Sequence, residues 1–373
     1  MRKKILLLYE PVSQKRLIDA IIYHTEDSDN SIVGFNVIDW TFNDSNHQIP
    51  KCYRVFRFLR KYPIVSKIAQ RLLITSLLKR ISCEYDVIDM TYYVNVFYKF
   101  TDYLIRINKP YKITLWGSDF YRASENDLLK KKKYLEFAKI IQIETEQIKQ
   151  DFLKVYPDIE KNIRICNYGV DLFQYIEEQR LHRGDYLKID SDDKITVTCG
   201  YNLGRVQQHL IIIDALNKLQ QTLKNSIHVI IPMTYGLVEE DYKAEIETAL
   251  KQSGISYSFL TKKLNEKELA DMRLLSNVVI NIQISDALAS SLVEHLFAES
   301  ILIAGDWLPY SIFDEYGIYY EKASIENLSE CVEQVLLNFN EKKLLAKKNI
   351  QNVNKLASWE YKTPILRGIF SEL

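Results

Sequence analysis

The chain has 373 residues, enough for about two domains at roughly 100 to 200 residues each. Its 47% hydrophobic and 26% charged residues, with only 11 Gly and 8 Pro, exclude collagen-like, low-complexity and wholly disordered classes. Forty-nine Lys and Arg balance 49 Asp and Glu, which argues against a surface given over to nucleic acid. The balance is uneven along the chain, because residues 1–180 carry 29 basic against 23 acidic residues, net +6, leaving net −6 for the remainder. The two halves are therefore expected to meet different partners.

In chain order, the first half offers short apolar runs that read as strands at 4–9, 85–89 (YDVID), 112–116 (KITLW), 140–143 and 162–165. Between the first two lies a basic stretch, 51–80, with nine Lys and Arg and no acid, interleaved with Tyr53, Phe56, Phe58, Ile64, Ile68, Leu72 and Leu73. It can be read as a plain basic helix pair or as a contact with an anionic membrane surface and a lipid diphosphate. The run 179–193 is charged, poor in apolar periodicity and ends in DSDD, which marks it as the linker.

The second half has the clearest rhythm. A strand at 194–199 (KITVTC) precedes an amphipathic helix at 206–223, then come a strand at 227–232 (IHVIIP), a helix at 239–250, a strand at 256–260 and a helix at 266–275. A strand at 277–282, a helix at 289–299 and a strand at 301–304 complete the alternation, followed by helices at 325–338, 341–356 and 359–370. Strands alternating with helices mean parallel βαβ units. The expected architecture is α/β, with two Rossmann-like doubly wound domains at 1–178 and 194–358 facing across a cleft, and 359–373 packing back on the first.

Five cysteines with no CxxC spacing indicate neither a zinc knuckle nor a redox pair, and six histidines show no ligand spacing, so no metal is expected. The apolar run after the basic N-terminus is too short for a signal segment, and no stretch reaches the roughly 18 apolar residues of a span. A cytoplasmic protein is expected, attached to the inner face of the membrane if the basic stretch is a lipid contact.

Four segments could carry chemistry. The sharpest is ISDALASSLVEHLFAES, 284–300, where Asp286 precedes Glu294 by eight residues, with the small residues Ala287, Ala289, Ser290 and Ser291 between them at a helix start. Backbone N–H groups and the positive dipole end suit an anion there, and small side chains let a phosphate approach. Glu294 could accept from a ribose diol and Asp286 from sugar hydroxyls, or the two could be a helix-start charge and a solvated helix residue. A strand-end turn, Gly200-Tyr201-Asn202-Leu203-Gly204-Arg205, leads to His209, and Arg205 or His209 could face a diphosphate. In the first half, Trp116-Gly117-Ser118-Asp119 follows KITLW, and Asn167-Tyr168-Gly169-Val170-Asp171 follows NIRI.

Together these segments resemble the GT-B glycosyltransferases. Asp286 and Glu294 are similar to a D-for-E form of the E-x7-E signature of the retaining family-four enzymes, whose first carboxylate meets the donor sugar and whose second meets the nucleotide ribose. NYGVD resembles that family's turn closing the first domain, 263–278 its helix before the donor-site strand, and Trp359 falls where its last helix returns. A second likeness is to the transferases that add N-acetylfucosamine in enterobacterial common antigen synthesis, carried by LWGSDFY, by IPMTYG with Tyr235, and by GYN with His209 downstream. The departures are specific: Tyr201 replaces the Arg of the family-four phosphate clamp, Gln207 and Gln208 lie near its Lys, and Trp116 stands where many relatives have His.

The resemblance implies a sugar transfer from a nucleotide-diphosphate sugar to a polyprenyl-diphosphate-linked glycan for a bacterial surface polysaccharide, with retention and no cofactor. Asp286, Arg205 and His209 would be catalytic, and Gly200, Tyr201, Asn202, Tyr235, Ala289, Ser290, Ser291 and Glu294 would bind the donor. Trp116, Gly117, Asp119 and Arg122 would meet the acceptor, with Asn167, Gly169 and Asp171 at the hinge or cleft. A sugar-nucleotide 2-epimerase and a non-catalytic membrane-surface protein are the alternatives, since fold alone does not fix chemistry.

Overall fold

Runs such as KKILLLY have no polar alternation, which suits a parallel strand buried on both faces. The computed structural model describes residues 2–10, 15–51, 53, 63–191, 193–233 and 239–373, with backbone alone for 63–72. It divides into two units, Met1–Gly169 with Trp359–Leu373, and Val170–Ser358. The expected linker, 179–193, belongs to the second unit, where the backbone N–H groups of Tyr186 and Leu187 donate to Asp271 at 2.8 and 3.0 Å.

The first unit is built on a seven-stranded sheet in the order β3-β2-β1-β4-β5-β6-β7. The strands are β1 (Lys3–Tyr9), β2 (Asn30–Asn36), β3 (Thr41–Phe42), β4 (Val87–Thr91), β5 (Tyr111–Thr114), β6 (Ile140–Ile143) and β7 (Ile163–Ile165). All pair in parallel except β3, a two-residue antiparallel edge on β2. The helices Lys15–Thr25 and Trp359–Glu372 supply core to this sheet, with Ile18, Ile21, Leu366 and Phe370 packed with Ile5, Leu7 and Tyr9. The strands β2 and β3 have no counterpart among the sequence expectations. β2 is NSIVGFN, and Gly34 breaks its β-branched run because a Cβ there would lie 3.0 Å from Ile18 of the covering helix.

The second unit holds a six-stranded, wholly parallel sheet in the order β10-β9-β8-β11-β12-β13. Its strands are β8 (Ile195–Cys199), β9 (Ile227–Pro232), β10 (Ser256–Leu260), β11 (Val278–Asn281), β12 (Ile301–Gly305) and β13 (Glu321–Ala323). Counted within the unit this is the 3-2-1-4-5-6 order of mononucleotide-binding sheets, so the strand order reverses between β8 and β11. Ligands of such sheets sit outside the carboxyl ends of the strands at that reversal.

Two expected helices are broken. Instead of one helix over 206–223 there is a 3-10 turn, Arg205–Gln207, a left-handed Gln208 (φ 57°), and the helices His209–Asn217 and Gln221–Asn225. The Gln208 side chain donates to the Ile282 carbonyl, which ties this turn to the end of β11. The expected 341–356 helix is two, Phe339–Lys347 and Asn349–Ala357, because buried Asn349 leaves its side chain bridging both backbone groups of Tyr319 at 2.7 and 2.8 Å. Among the described residues no helix is long and apolar enough to cross a membrane.

Candidate functional site

The turn after β8 is shaped by what surrounds Gly200. Its φ of 63° is left-handed, and a Cβ there would fall 2.8 Å from the Gln207 Oε1 and 3.2 Å from the His209 Nε2, so only glycine fits. The Tyr201 amide donates to Gln207 Oε1 at 3.3 Å, while the Tyr201 hydroxyl and the Gln207 amide nitrogen both donate to Gln283 Oε1 at 3.1 Å. Tyr201 and Gln207 thus bind the loop after β8 to the loop after β11. Asn202 accepts from the Gly204 amide at 2.8 Å and rounds off the turn.

His209 begins its helix fully buried, with Nδ1 3.3 Å from the Tyr242 hydroxyl. Burial pushes its pKa down to about 4, so the imidazole is neutral at physiological pH and serves as a dipole, not as a cation. Arg205 is exposed, and its guanidinium lies on Glu239 (2.7 Å) and Glu245 (3.2 Å) with the Tyr242 ring beneath it at 4.4 Å. A phosphate group reaching Arg205 must compete with those two carboxylates.

The loop after β11 brings the carboxylate pair to the same end of the sheet. Asp286 is half-buried, and its Oδ2 accepts from the Tyr310 hydroxyl at 2.5 Å; that hydroxyl in turn accepts from Asn281 Nδ2 at 2.8 Å. Burial and the neighbouring Asp286 hold the Tyr310 phenol protonated, so it is a permanent donor to the carboxylate. The helix Ser290–Phe297 follows with Ala289 as its N-cap and no side-chain cap, leaving its first N–H groups for another acceptor. Ser290 is exposed at this end and Ser291 is buried. Glu294, one turn in, is 9% exposed and paired with Arg273, whose Nε donates to Glu294 Oε2 at 2.9 Å and whose Nη2 lies 2.8 Å from the same oxygen.

Buried polar atoms are almost always partnered, so exceptions point somewhere. Of twelve buried side-chain polar atoms without a hydrogen-bond partner among the described residues, four, His209 Nε2, Asn281 Oδ1, Gln283 Nε2 and Ser291 Oγ, stand at the carboxyl ends of β8 and β11 or in the helix start that follows. Sequence reasoning did not single out Arg273, Gln283, Tyr310 or Trp307. Trp307, 40% exposed after β12, donates its indole N–H to the Gln283 carbonyl at 2.9 Å. For Arg273 a signal existed, a charge inside the buried stripe ADMRL; the others lie in loops whose residues show no period.

In the first unit Gly117 is left-handed (φ 89°) and opens the one-turn helix Ser118–Tyr121. Asp119 is 3% exposed, and its two oxygens accept from the backbone N–H groups of Trp116 (2.8 Å) and Tyr93 (2.9 Å). Burial pushes its carboxyl up to about 6 against those hydrogen bonds and Lys131. The carboxylate expected to meet an acceptor is therefore spent on holding the turn, and what the turn presents is the half-buried Trp116 and the exposed Arg122. A residue missed in the sequence, Glu10, stands half-buried at the carboxyl end of β1 with its pKa raised by burial.

Asn167 is buried in the first unit, Gly169 is its last residue before the second, and Asp171 precedes the helix Leu172–Gln179 of the second. A Cβ on Gly169 would fall 2.3 Å from the Trp359 ring, which explains the glycine. Tyr235 lies outside the described residues, as do Cys52 and 54–62 of the basic stretch. The rest of that stretch is the helix Pro63–Ser82, whose Lys79 stands 5.0 Å over the Tyr103 ring. Among the described residues no three His, Cys, Asp or Glu side chains converge on a cation site, and His228 is held between Ser256 and Ser258 at 2.7 and 2.9 Å.

No family model matches the sequence, and no curated protein matches it. Solved structures match it over its whole length. HepE of Anabaena, in complex with UDP and glucose, superposes with a TM-score of 0.73 at 12% identity, covering 100% of both chains. Sucrose-phosphate synthase of Thermosynechococcus elongatus gives 0.73 at 13% identity, covering 100% of this chain and 99% of the other. A glycosyltransferase of Rickettsia africae gives 0.72 at 13%, covering 100% and 98%. The chain has the GT-B fold of these glycosyltransferases, with two Rossmann-like domains.

Proposed function

We propose that this protein is a glycosyltransferase that moves a sugar from a nucleotide-diphosphate sugar to a lipid-linked glycan, with retention of configuration, in bacterial surface polysaccharide synthesis. The observation that carries the reading is the set of partnerless buried polar atoms, His209 Nε2, Asn281 Oδ1, Gln283 Nε2 and Ser291 Oγ, gathered with Asp286 and an uncapped helix at the reversal of a mononucleotide-type sheet. Structures of the same fold hold UDP and glucose, as HepE does, which supports a nucleotide sugar as donor.

In this reading the N–H groups at Ser290 and Ser291 receive the diphosphate, Glu294 accepts from the ribose, and Asp286 faces the sugar. Gly200, Tyr201, Asn202 and Tyr235 frame the donor. The bond from the anomeric carbon to the diphosphate oxygen breaks as the acceptor oxygen bonds to the same face, and the departing diphosphate takes the acceptor proton. The carboxylate of Asp286, fixed by Tyr310, stabilises the positive charge that develops on the anomeric carbon, while the helix start stabilises the leaving group. The step needs no metal and no dedicated base. Arg205, once released from Glu239 and Glu245, adds a cation, and neutral His209 adds a dipole. Trp116, Gly117 and Arg122 with Glu10 are the acceptor side, and the basic stretch 51–80 meets the anionic membrane surface.

The test is thermal stabilisation by UDP, TDP, GDP and CMP at matched concentration. A nucleotide present at a hundredfold its Kd should add about 2.7 kcal/mol to the wild type. Glu294→Ala should abolish the effect while leaving the unliganded fold intact. If no nucleotide shifts the melting temperature, the donor-site reading is wrong.

A further inference from the structure

A single exposed apolar side chain is ordinary on a protein surface and by itself says nothing. Trp307 differs because its ring is held in place while it stays in water. The indole N–H donates to the Gln283 carbonyl at 2.9 Å, which sets the ring's orientation and ties the loop after β12 to the loop after β11. The six-membered ring lies over Gly305, the last residue of β12. A Cβ on that glycine would fall 2.7, 2.8 and 2.9 Å from three ring carbons, so the position is glycine because the ring fills the room. Bonded at its nitrogen and backed by a glycine, Trp307 is still 40% exposed, whereas Trp40 and Trp359 are buried and Trp116 is half-buried.

A second apolar side chain stands beside that hydrogen bond. Ile284, the residue after Gln283, is 62% exposed, and its own N–H donates to the Val206 carbonyl at 2.9 Å. Both side chains are carried on tied backbone, so little conformational freedom is left to lose when a ligand covers them. The same two loops are joined again where Tyr310 donates to Asp286 and accepts from Asn281. The ends of β11 and β12 thus carry two fixed apolar surfaces on the loops that also hold a carboxylate. A sugar ring has hydroxyls around its rim and C–H groups on its faces, so it calls for polar groups at the edge and a flat apolar surface against one face.

We infer that Trp307, with Ile284 beside the bond that holds it, is the surface against which the sugar ring of the donor lies. The inference rests on reading the second unit as a nucleotide-sugar site with Asp286 at the sugar. Its effect is on the sugar alone, so it changes affinity for the nucleotide sugar and leaves affinity for the bare nucleotide as it was.

The experiment measures calorimetric affinity of the full chain for UDP, TDP and GDP and for UDP-glucose, UDP-N-acetylglucosamine, TDP-glucose and GDP-mannose, in the wild type, Trp307→Ala, Trp307→Phe and Ile284→Ala. Acrylamide quenching of the wild-type tryptophan fluorescence is read on the same samples. At least one nucleotide sugar should reduce the quenching where its bare nucleotide does not. Trp307→Ala should weaken that nucleotide sugar by about tenfold, the worth of covering roughly 50 Å² of apolar surface, while the bare nucleotide stays within about threefold of wild type. Trp307→Phe and Ile284→Ala should weaken it by roughly two- to fivefold, and they carry the test should Trp307→Ala melt too early to assay. Equal losses for a nucleotide and its sugar overturn the inference, because the ring then meets the base or only shapes the loop. A nucleotide that binds while its sugars neither shield the tryptophan nor respond to the variants overturns it as well, and both results leave the donor site standing. If none of these ligands binds the wild type, the nucleotide-sugar reading falls and the inference with it.

Discussion

Each unit buries a strong ion pair, and the two pairs are put to different uses. In the first unit Lys112 and Asp89 stand opposite one another in the register of β4 and β5, both fully buried. The lysine donates to both carboxylate oxygens (3.0 and 2.8 Å) and to Thr114 (2.6 Å), with the Phe370 ring 5.5 Å away. That pair is closed, since three donors meet three acceptors inside a sheet. In the second unit Arg273 joins two helices, its Nε donating to Glu294 Oε2 at 2.9 Å and its Nη1 lying 2.9 Å from His295 Nε2. A pair between adjacent strands fixes register; a pair between helices holds one helix against the other.

The largest expected effect breaks the closed pair. Lys112→Met should cost roughly 3 to 5 kcal/mol in denaturant unfolding by stranding a buried carboxylate, and Asp89→Leu added to it should restore most of the loss. Nucleotide stabilisation of the folded variant should be unchanged. If it disappears with Lys112, the contrast between the two pairs is false.

The next effect separates the units by pH. His209 has a pKa near 4 in the folded protein and about 6.5 when unfolded, so the unfolded state binds the extra proton in that window. Stability of the second unit should therefore fall as pH drops from about 6.5 to 4, by roughly 3 kcal/mol in all. Buried His295 contributes in the same direction. Asp119 works oppositely, because its folded pKa of about 6 lies above the usual carboxylate value, and its share of stability is lost as pH rises from about 4 to 6. Melting curves of His209→Gln should show a shallower acid slope; an unaltered slope would mean the imidazole is not held neutral.

Smaller effects test the supports. Gly169→Ala forces a Cβ into the Trp359 ring and should cost about 1 to 3 kcal/mol, read as a lower melting temperature of the first unit. Asn265 caps the helix that carries Arg273, in a capping box with Glu268. Asn265→Ala should cost about 1 kcal/mol, read as a lower melting temperature of the second unit.

Strands β8 to β12 of the second unit were legible because each is a short run of strand-forming residues between helical periods; 256–260 and 266–275 match the structure residue for residue. Asp286, Glu294 and the Gly200 turn could be placed at one sheet end because strand order implies it. What could not be read was partnership. Gln208 breaks a helix through a bond to Ile282, a contact 74 residues away, and Asn349 does the same through Tyr319. Asp119 has a loop carboxylate's sequence context, yet two backbone amides consume it. β3 and β13 are two and three residues long, too brief to carry a period.

The chain passes from the first unit to the second after Gly169 and returns before Trp359, and these two residues touch. Within the second unit the Val170 N–H donates to the Ala357 carbonyl at 2.9 Å, so its own ends also meet. Topologically, 170–358 is a cassette inserted at one point of a host whose cut edges lie side by side. The host can be resealed by a linker of a few residues and the cassette produced as a free-standing polypeptide, each with its sheet whole. A gene encoding either half by itself would thus be a short path to exchanging whole units between chains of this fold.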